Sequence, residues 1–265
     1  MTKILLVLFS GMILIGCQKD SGSSSNNNND NNNNDSGGNA TSGTTTHSCG
    51  AVDVHNPNKT YGTVKDIDGN TYKTIQIGTQ TWMAENLKTT KYRNSVSIPN
   101  ITDNTEWKNN TTGAYCSYNN NTTNDCPYGK LYNWYAVNSN NGLCPTGWHV
   151  PTDVEWNNLI NTLDPNANGG NNNNISGGKM KSTGTQYWLT PNTEATNSSG
   201  WSGLPGGSRS SDGSFNYITK YATWWSSTEN LTNGAWFRGL DYDIGDVLRD
   251  INNNKIGCSV RCIKD

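Results

Sequence analysis

Charged side chains are scarce in this chain. They account for 15% of its 265 residues, whereas a soluble domain typically contains about 25%. Lysine and arginine number 19 against 21 acidic residues, with no basic block. Nucleic-acid-binding proteins concentrate positive charge on one face, so this composition argues against a nucleic-acid partner. Histidine occurs only three times and at no metal-site spacing, so we expect neither a metal nor a cofactor.

Long apolar runs are missing except near the start. Residues 4–15 follow Lys3 and are too few to cross a bilayer as a helix, but they have the shape of a secretory h-region. The run ends in Leu14-Ile15-Gly16-Cys17, which resembles the lipobox of bacterial lipoproteins. That resemblance implies a lipoprotein signal peptide over residues 1–17 and a membrane anchor through lipid on Cys17. We expect an outer-membrane lipoprotein at the cell surface; an ordinary signal peptide with a chance cysteine is the alternative.

The segment after the lipobox has no aromatic or branched aliphatic residue between positions 21 and 46. Such a segment has no apolar surface to bury against the entropy of ordering. We therefore expect residues 18–46 to be a disordered linker rich in Asn, Ser and Gly. Residues 47–265 have the length of one domain.

Six cysteines follow Cys17, and an even number in an exported chain predicts three disulfides. Cys116 and Cys126 flank an Asn-rich loop and are expected to pair locally. Cys144 and Cys262 are expected to form a long-range bridge, which leaves Cys49 to pair with Cys258. A redox or metal pair at Cys258 and Cys262 is the alternative reading of the last two cysteines.

Local patterns predict an α+β domain with long loops. Asp68-Gly69 between alternating apolar positions predicts a β-hairpin over residues 63–77. Thr152 with Glu155 three residues later predicts a capped helix with an apolar face at Trp156, Leu159, Ile160 and Leu163. Short strands are expected at residues 223–226, 235–240, 246–249 and 257–263.

Four groups of residues carry a family resemblance. They are Ile77-Gly78-x-Gln80-x-Trp82-Met83-x-Glu85-Asn86-Leu87; Cys144-Pro145-x-Gly147-Trp148-His149-Val150-Pro151-Thr152-x-x-Glu155-Trp156; Leu204-Pro205-Gly206-Gly207-x-Arg209; and Trp225-Ser226-Ser227-Thr228-Glu229 with Ser259-Val260-Arg261-Cys262. Together they resemble the Fibrobacter succinogenes major paralogous domain over residues 61–265. Two of the motifs are also similar to the formylglycine-generating-enzyme superfamily, a variant of the C-type lectin fold. The resemblance implies a C-type-lectin-like domain whose ligand surface is formed by residues 224–249.

An enzymatic function is not expected. Formylglycine-generating enzymes use a reactive cysteine pair in a segment that this sequence does not reproduce, and the related sulfoxide synthases need a histidine cluster. His149 is interpreted as a packed motif residue and Glu155 as the capping-box acid. No nucleophile elbow or phosphate-binding glycine loop is present, so no catalytic residue is assigned.

A non-catalytic binding module is the preferred interpretation, either an adhesin or a receptor for a glycan or an extracellular protein. Tyr, Trp and Arg dominate binding hot spots, and aromatic faces stack on sugars. The candidate ligand-binding residues are Trp224, Trp236, Arg238, Asp241, Tyr242, Asp243 and Arg249. For the tryptophans the alternative is a role in the core. Asp241, Asp243, Asp246 and Asp250 supply oxygens for calcium, but the motifs of sugar-binding lectins are absent.

Two further hypotheses stay open. C-type-lectin-like domains of this kind resemble targets of diversity-generating retroelements, and Asn233, Asp241, Tyr242, Asp243 and Asp250 would fit varied codons. Alternatively, the chain is a structural envelope lipoprotein or an accessory subunit of an outer-membrane complex.

Overall fold

A computed structural model describes residues 45–170, 173–231 and 234–265. The predicted lipidation site Cys17, the linker up to residue 44 and Asn233 lie outside the described residues. Among the described residues, no helix is long and apolar enough to cross a membrane.

Helices and strands alternate with long irregular connections, so the domain is of mixed helix and sheet. The strands are β1 (Gly62–Lys65), β2 (Thr71–Ile77), β3 (Gln80–Met83), β4 (Tyr115–Cys116), β5 (Leu131–Tyr132), β6 (Trp148–His149), β7 (Ser208–Arg209), β8 (Phe215–Asn216), β9 (Tyr221–Leu231), β10 (Gly234–Asp241), β11 (Leu248–Asn253) and β12 (Ile263–Lys264). The helices are α1 (Asn104–Asn109), α2 (Asp125–Tyr128), α3 (Trp134–Val137), α4 (Asp153–Leu163) and α5 (Ser176–Met180).

A five-stranded sheet joins the two ends of the domain. Its strand order is β1-β2-β3-β12-β6, so the last strand lies between β3 and β6. Ile263 on β12 pairs with Trp82 on one side and with His149 on the other. The hairpin between β1 and β2 turns at Gly69, whose φ of +83° suits a residue without a Cβ. The prediction of an Asp-Gly hairpin is confirmed.

Helix α4 begins where the sequence predicts. The hydroxyl of Thr152 accepts a hydrogen bond from the N–H of Glu155, and the Glu155 carboxylate accepts one from the N–H of Thr152. This reciprocal pair satisfies two backbone donors that a helix start leaves free. Trp156, Leu159 and Ile160 are buried on the inner face of the helix. The capping box and the apolar face are both confirmed.

The last strands differ in extent from the prediction. In a three-stranded sheet of order β11-β10-β9, strand β9 continues to Leu231, and β11 covers Leu248–Asn253. Of residues 257–263, the first three make isolated bridges to separate segments, and Ile263 begins β12. The pairing between β9 and β10 contains two register irregularities, at Gly234/Ala235 and at Ala235/Phe237. The residue pattern of one strand carries no information about the register of its partner. This explains why the observed ends of the strands differ from the predicted ones.

Most of the tryptophans belong to the core. The ring centres of Trp82 and Trp156 are 4.8 Å apart, and those of Trp201 and Trp224 are also 4.8 Å apart. Trp224 is 0% exposed, and its indole N–H donates to Asn86 over 2.9 Å. A fully buried ring with a satisfied donor has no surface to offer a ligand. The assignment of Trp224 to a ligand surface is therefore wrong.

The structure contains disulfides Cys49–Cys126 and Cys144–Cys262. The second is the predicted long-range bridge, but the predicted pairs Cys116–Cys126 and Cys49–Cys258 are wrong. Cys116 and Cys258 are buried free thiols.

The different pairing follows from where the strands place the sulfurs. Cys116 lies on β4 opposite Leu131 with its side chain in the core, whereas Cys126 is exposed. Bridged cysteines need Cα atoms within about 7 Å and side chains that point toward each other. Closeness along the chain does not guarantee this. Cys49, on the N-terminal segment, meets the requirement with a Cα–Cα distance of 5.8 Å from Cys126.

Candidate functional site

An open cavity with tyrosine-rich walls lies at the end of β9 and β10. Its volume is about 360 Å³, and it is lined by Tyr217, Lys220, Tyr221, Asp241 and Tyr242. We call it the tyrosine depression. Two of the seven predicted ligand-binding residues, Asp241 and Tyr242, line it. Another predicted residue, Asp243, follows them in the chain. Two other shallow depressions share Thr162 and have no aromatic lining.

Strand pairing assembles the tyrosine depression. Tyr221 and Asp241 are cross-strand partners at the end of the β9–β10 ladder. The N–H of Tyr242 donates to the carbonyl of Lys220 over 2.9 Å, which extends the pairing by one residue. The carbonyl of Tyr217 accepts from the N–H of Tyr221, also over 2.9 Å, in the turn that precedes β9. Tyr217 has a φ of +67°, an uncommon conformation for a residue with a side chain.

Two of the aromatic rings that line the depression lie nearly perpendicular to each other. Tyr217 is 61% exposed, and its ring centre lies 6.5 Å from that of Tyr221 at an interplanar angle of 77°. The Tyr221 side chain lies across Gly239, where an added Cβ would collide with the tyrosine hydroxyl. Glycine at this position of β10 therefore leaves the space that Tyr221 occupies. Such rings can contact the apolar face of a sugar or a cation.

An acidic neighbour and a buried lysine contact the part of the chain that contains Asp241. Burial, followed by the negative charge of Asp243, raises the pKa of Asp241. The Nζ of Lys181 donates to the carbonyls of Asp241 and Ile244, each over 2.8 Å. Burial lowers the pKa of Lys181 to about 8, although the charge of Asp241 opposes this. Lys181 thus holds the backbone of the loop that carries Asp241, Tyr242 and Asp243.

The predicted residues Trp236, Arg238 and Arg249 lie elsewhere, in a cluster with Asp153 of α4. The Arg249 guanidinium is 3.6 Å from the ring centre of Trp236, and its Nη2 is 2.8 Å from the Asp153 carboxylate. Arg238 pairs with the same carboxylate at 2.9 Å and is 1% exposed. Burial lowers the pKa of Arg238 to about 10. Arg238 is inaccessible to a ligand, so its assignment is wrong; Trp236 and Arg249 are partly buried.

A second group of polar residues, absent from the sequence-based assignment, surrounds Glu85. The Nε2 of His55 is 3.0 Å from Glu85, and its Nδ1 is 3.1 Å from the hydroxyl of Ser202. Serine, histidine and a carboxylate in this order activate the nucleophile of many hydrolases. Here Ser202 is 0% exposed, so no substrate can approach its hydroxyl. The group instead joins the N-terminal segment of the domain to the core.

His149 is held by two carboxylates. Its Nδ1 is 2.6 Å from Asp265 and its Nε2 is 2.8 Å from Glu155. Burial alone would lower the pKa of His149, but the hydrogen bonds to Asp265 and Glu155 outweigh it and raise the pKa. The histidine therefore connects the last residue of the chain to the start of α4.

No cluster of three or more His, Cys, Asp or Glu residues with the geometry for a metal occurs among the described residues. Asp246 and Asp250, considered above for calcium, instead accept hydrogen bonds from backbone N–H groups of Asn173 and Ile251.

The comparisons with known proteins identify a family. The profile of the Fibrobacter succinogenes major domain matches residues 75–264, and the chain belongs to this family. Among curated proteins and among solved structures, none matches the chain.

Sequence reasoning missed Tyr217, Lys220, Tyr221 and Lys181. The two tyrosines flank the turn immediately before β9, and that is the only local signal they give. Their proximity to Asp241 depends on the register between β9 and β10.

Proposed function

We propose that this chain is a surface-anchored lipoprotein whose domain, residues 47–265, binds an extracellular glycan or protein and catalyses no reaction. The observation that carries the proposal is the tyrosine depression, where three tyrosines, a lysine and an aspartate line one open cavity of about 360 Å³. Tyrosine provides a large, rigid contact area with a polar tip, and for this reason it is enriched at binding sites.

The proposal includes a C-type-lectin-like fold. Its support is a sheet in which the last strand, β12, lies next to β3 and β6, so that both ends of the domain meet. The site then lies on loops at the end of the last long strands, β9 and β10. Rigid strands that position variable loops are a common arrangement for binding.

The anchor is tested separately from the binding. Cells that express the full chain would be labelled with a fatty-acid probe and treated with an external protease. We expect lipid labelling that Cys17→Ser abolishes, and digestion of the domain on intact cells. Labelling that persists in Cys17→Ser, or a domain protected from the protease, would contradict the surface lipoprotein.

Binding is tested with the full chain, disulfides intact, on arrays of glycans and host surface proteins with and without a calcium chelator. We expect a hit that Tyr217→Ala and Tyr242→Ala abolish and that Tyr135→Ala, on α3 outside the depression, retains. Circular dichroism would establish that all three variants are folded. A negative result on both arrays, or a hit insensitive to both variants, would favour a structural envelope lipoprotein or an accessory subunit of an outer-membrane complex.

A further inference from the structure

The tyrosine depression contains a carboxylate with a second acidic residue nearby. Asp241 lines it, and Asp243 lies close enough to oppose ionisation of Asp241. The Oδ1 atom of Asp241 is buried and accepts no hydrogen bond among the described residues. The charge of Lys181 acts on this carboxylate only through space, because its Nζ donates its hydrogen bonds to the backbone carbonyls of Asp241 and Ile244. The one lysine that lines the cavity, Lys220, is exposed to solvent.

The walls of the same cavity suit a cation with an apolar stem. A positive group within about 6 Å of an aromatic ring centre is attracted by the negative face of the ring. Tyr217, Tyr221 and Tyr242 supply three such rings in the cavity that Asp241 also lines. Two exposed apolar side chains belong to residues next to the lining: Ile244 follows Tyr242 by two positions, and the N–H of Leu189 donates to the carbonyl of Thr219.

We propose that the tyrosine depression recognises an alkylammonium group of its ligand, which lies among the three tyrosine rings and pairs with Asp241 and Asp243. The inference rests on the proposed function, because it specifies the ligand chemistry of the same site. A neutral sugar would make no charge-assisted hydrogen bond with the two carboxylates, whereas an ammonium group would. A carboxylate or phosphate ligand would add a third negative charge in a partly desolvated cavity.

An alkylammonium group has two natural sources, a lysine side chain of a protein and a free amine of an amino sugar. Four probes separate them: tetralysine, its fully Nε-acetylated form, a β-1,4-linked glucosamine tetramer and its N-acetylated form. Acetylation removes the positive charge while the backbone of each probe is retained. Affinity for the full chain in non-ionic detergent would be measured by microscale thermophoresis at constant ionic strength.

We expect at least one charged probe to bind, and its acetylated form to bind at least about tenfold more weakly. Asp241→Asn and, independently, Asp243→Asn should reduce affinity for the charged probe by about fivefold or more. Glu106→Gln, which removes an exposed carboxylate on α1, is the matched control and should have no effect. Lys220→Ala removes a repulsive charge and should increase affinity by about two- to fivefold. Tyr217→Phe should bind like the wild type, and Tyr217→Ala should not.

Equal affinity for charged and acetylated probes would overturn the proposal, as would binding unaffected by both aspartate variants or the absence of binding by either charged probe. These failures are distinguishable from failure of the proposed function. An array hit that is neutral and is lost in Tyr217→Ala would refute the ammonium ligand and leave the binding site standing. A negative array together with no binding of any probe would refute both.

Discussion

The Nε2 of His55 lies 3.0 Å from Oε1 of Glu85, and neither side chain is exposed to solvent. The Glu85 carboxylate also accepts a hydrogen bond from the N–H of Ser48 over 2.7 Å. Burial opposes ionisation of Glu85, but its hydrogen bonds to His55 and Ser48 and the neighbouring His47 lower its pKa overall. The carboxylate is therefore an ionised acceptor, in hydrogen-bond contact with His55 and with the N–H of Ser48 in the N-terminal segment.

This arrangement predicts acid sensitivity. Burial lowers the pKa of His47 to about 3 and also lowers that of His55. An unfolded chain protonates histidine near its ordinary pKa of about 6.5. The stability that depends on neutral histidine is therefore present above that value and is lost as pH falls below it. Each histidine contributes a slope of about 1.4 kcal/mol per pH unit once the unfolded state is protonated.

Denaturant unfolding of the wild type and His47→Asn between pH 7 and pH 5 would measure this slope, which should be shallower in the variant. His149→Gln is the control with the opposite sign. The pKa of His149 is raised in the folded protein, so its contribution to stability is present at low pH. That contribution is lost as pH rises through the raised pKa. If the free energy of unfolding of His47→Asn depends on pH as steeply as that of the wild type, His47 is not buried in its neutral form.

The two free thiols predict a specific labelling pattern. Burial raises the pKa of the Cys116 thiol to about 11 and that of the Cys258 thiol to about 12. Only thiolates react with iodoacetamide at an appreciable rate. We expect no labelling of the native domain and labelling at Cys116 and Cys258 in denaturant without reductant, read by peptide mass spectrometry. Peptides that link Cys116 to Cys126 would instead support the local pairing predicted from the sequence.

Asp153 is expected to be important for stability and not for binding. Asp153→Asn leaves two guanidinium groups, one of them the buried Arg238, without their shared counter-charge. Breaking such a buried pair costs about 3–5 kcal/mol. Asp250→Asn, on an exposed position of β11, should change the free energy of unfolding by less than about 0.5 kcal/mol. Urea unfolding would measure the free energy of unfolding of both variants. Equal losses in the two would contradict a stabilising role for the Asp153 ion pairs.

Lys181 is expected to order the loop of the tyrosine depression. Lys181→Met removes the donor to the carbonyls of Asp241 and Ile244, so the amides of residues 241–245 should exchange hydrogen at least about fivefold faster. Lys179→Met, two residues earlier on α5, is the matched control, because the Nζ of Lys179 donates to the carbonyl of Leu163 instead. Hydrogen-exchange mass spectrometry would compare the two. Similar exchange in both variants would mean that Lys181 does not order the loop.

Elements with a local physical cause were predictable from the sequence. The hairpin at Gly69 requires only a turn residue and alternating apolar positions, and α4 requires only a cap and a helical period. Both elements are present as predicted. The pairing of Cys49 with Cys126 could not be obtained in this way, because it depends on which face of β4 carries Cys116.

The candidate site was predictable only in part, for the same reason. The aromatic and charged composition of residues 224–249 points to a segment in which two predicted residues, Asp241 and Tyr242, line the depression. Composition does not distinguish a tryptophan in the core from one at the surface, so Trp224 and Arg238 were assigned to the wrong environment. Burial is a property of the packed neighbours and not of the residue type.

The sequence by itself determined the family of this protein, its two strongest local elements and the scarcity of charge over its surface. Its motifs retain their order and spacing along the chain, and such features need no knowledge of distant contacts. Only the tertiary structure decided which side chains share a site. Tyr221 meets Asp241 because β9 and β10 pair in one register, and a shift of one residue would turn them to opposite faces.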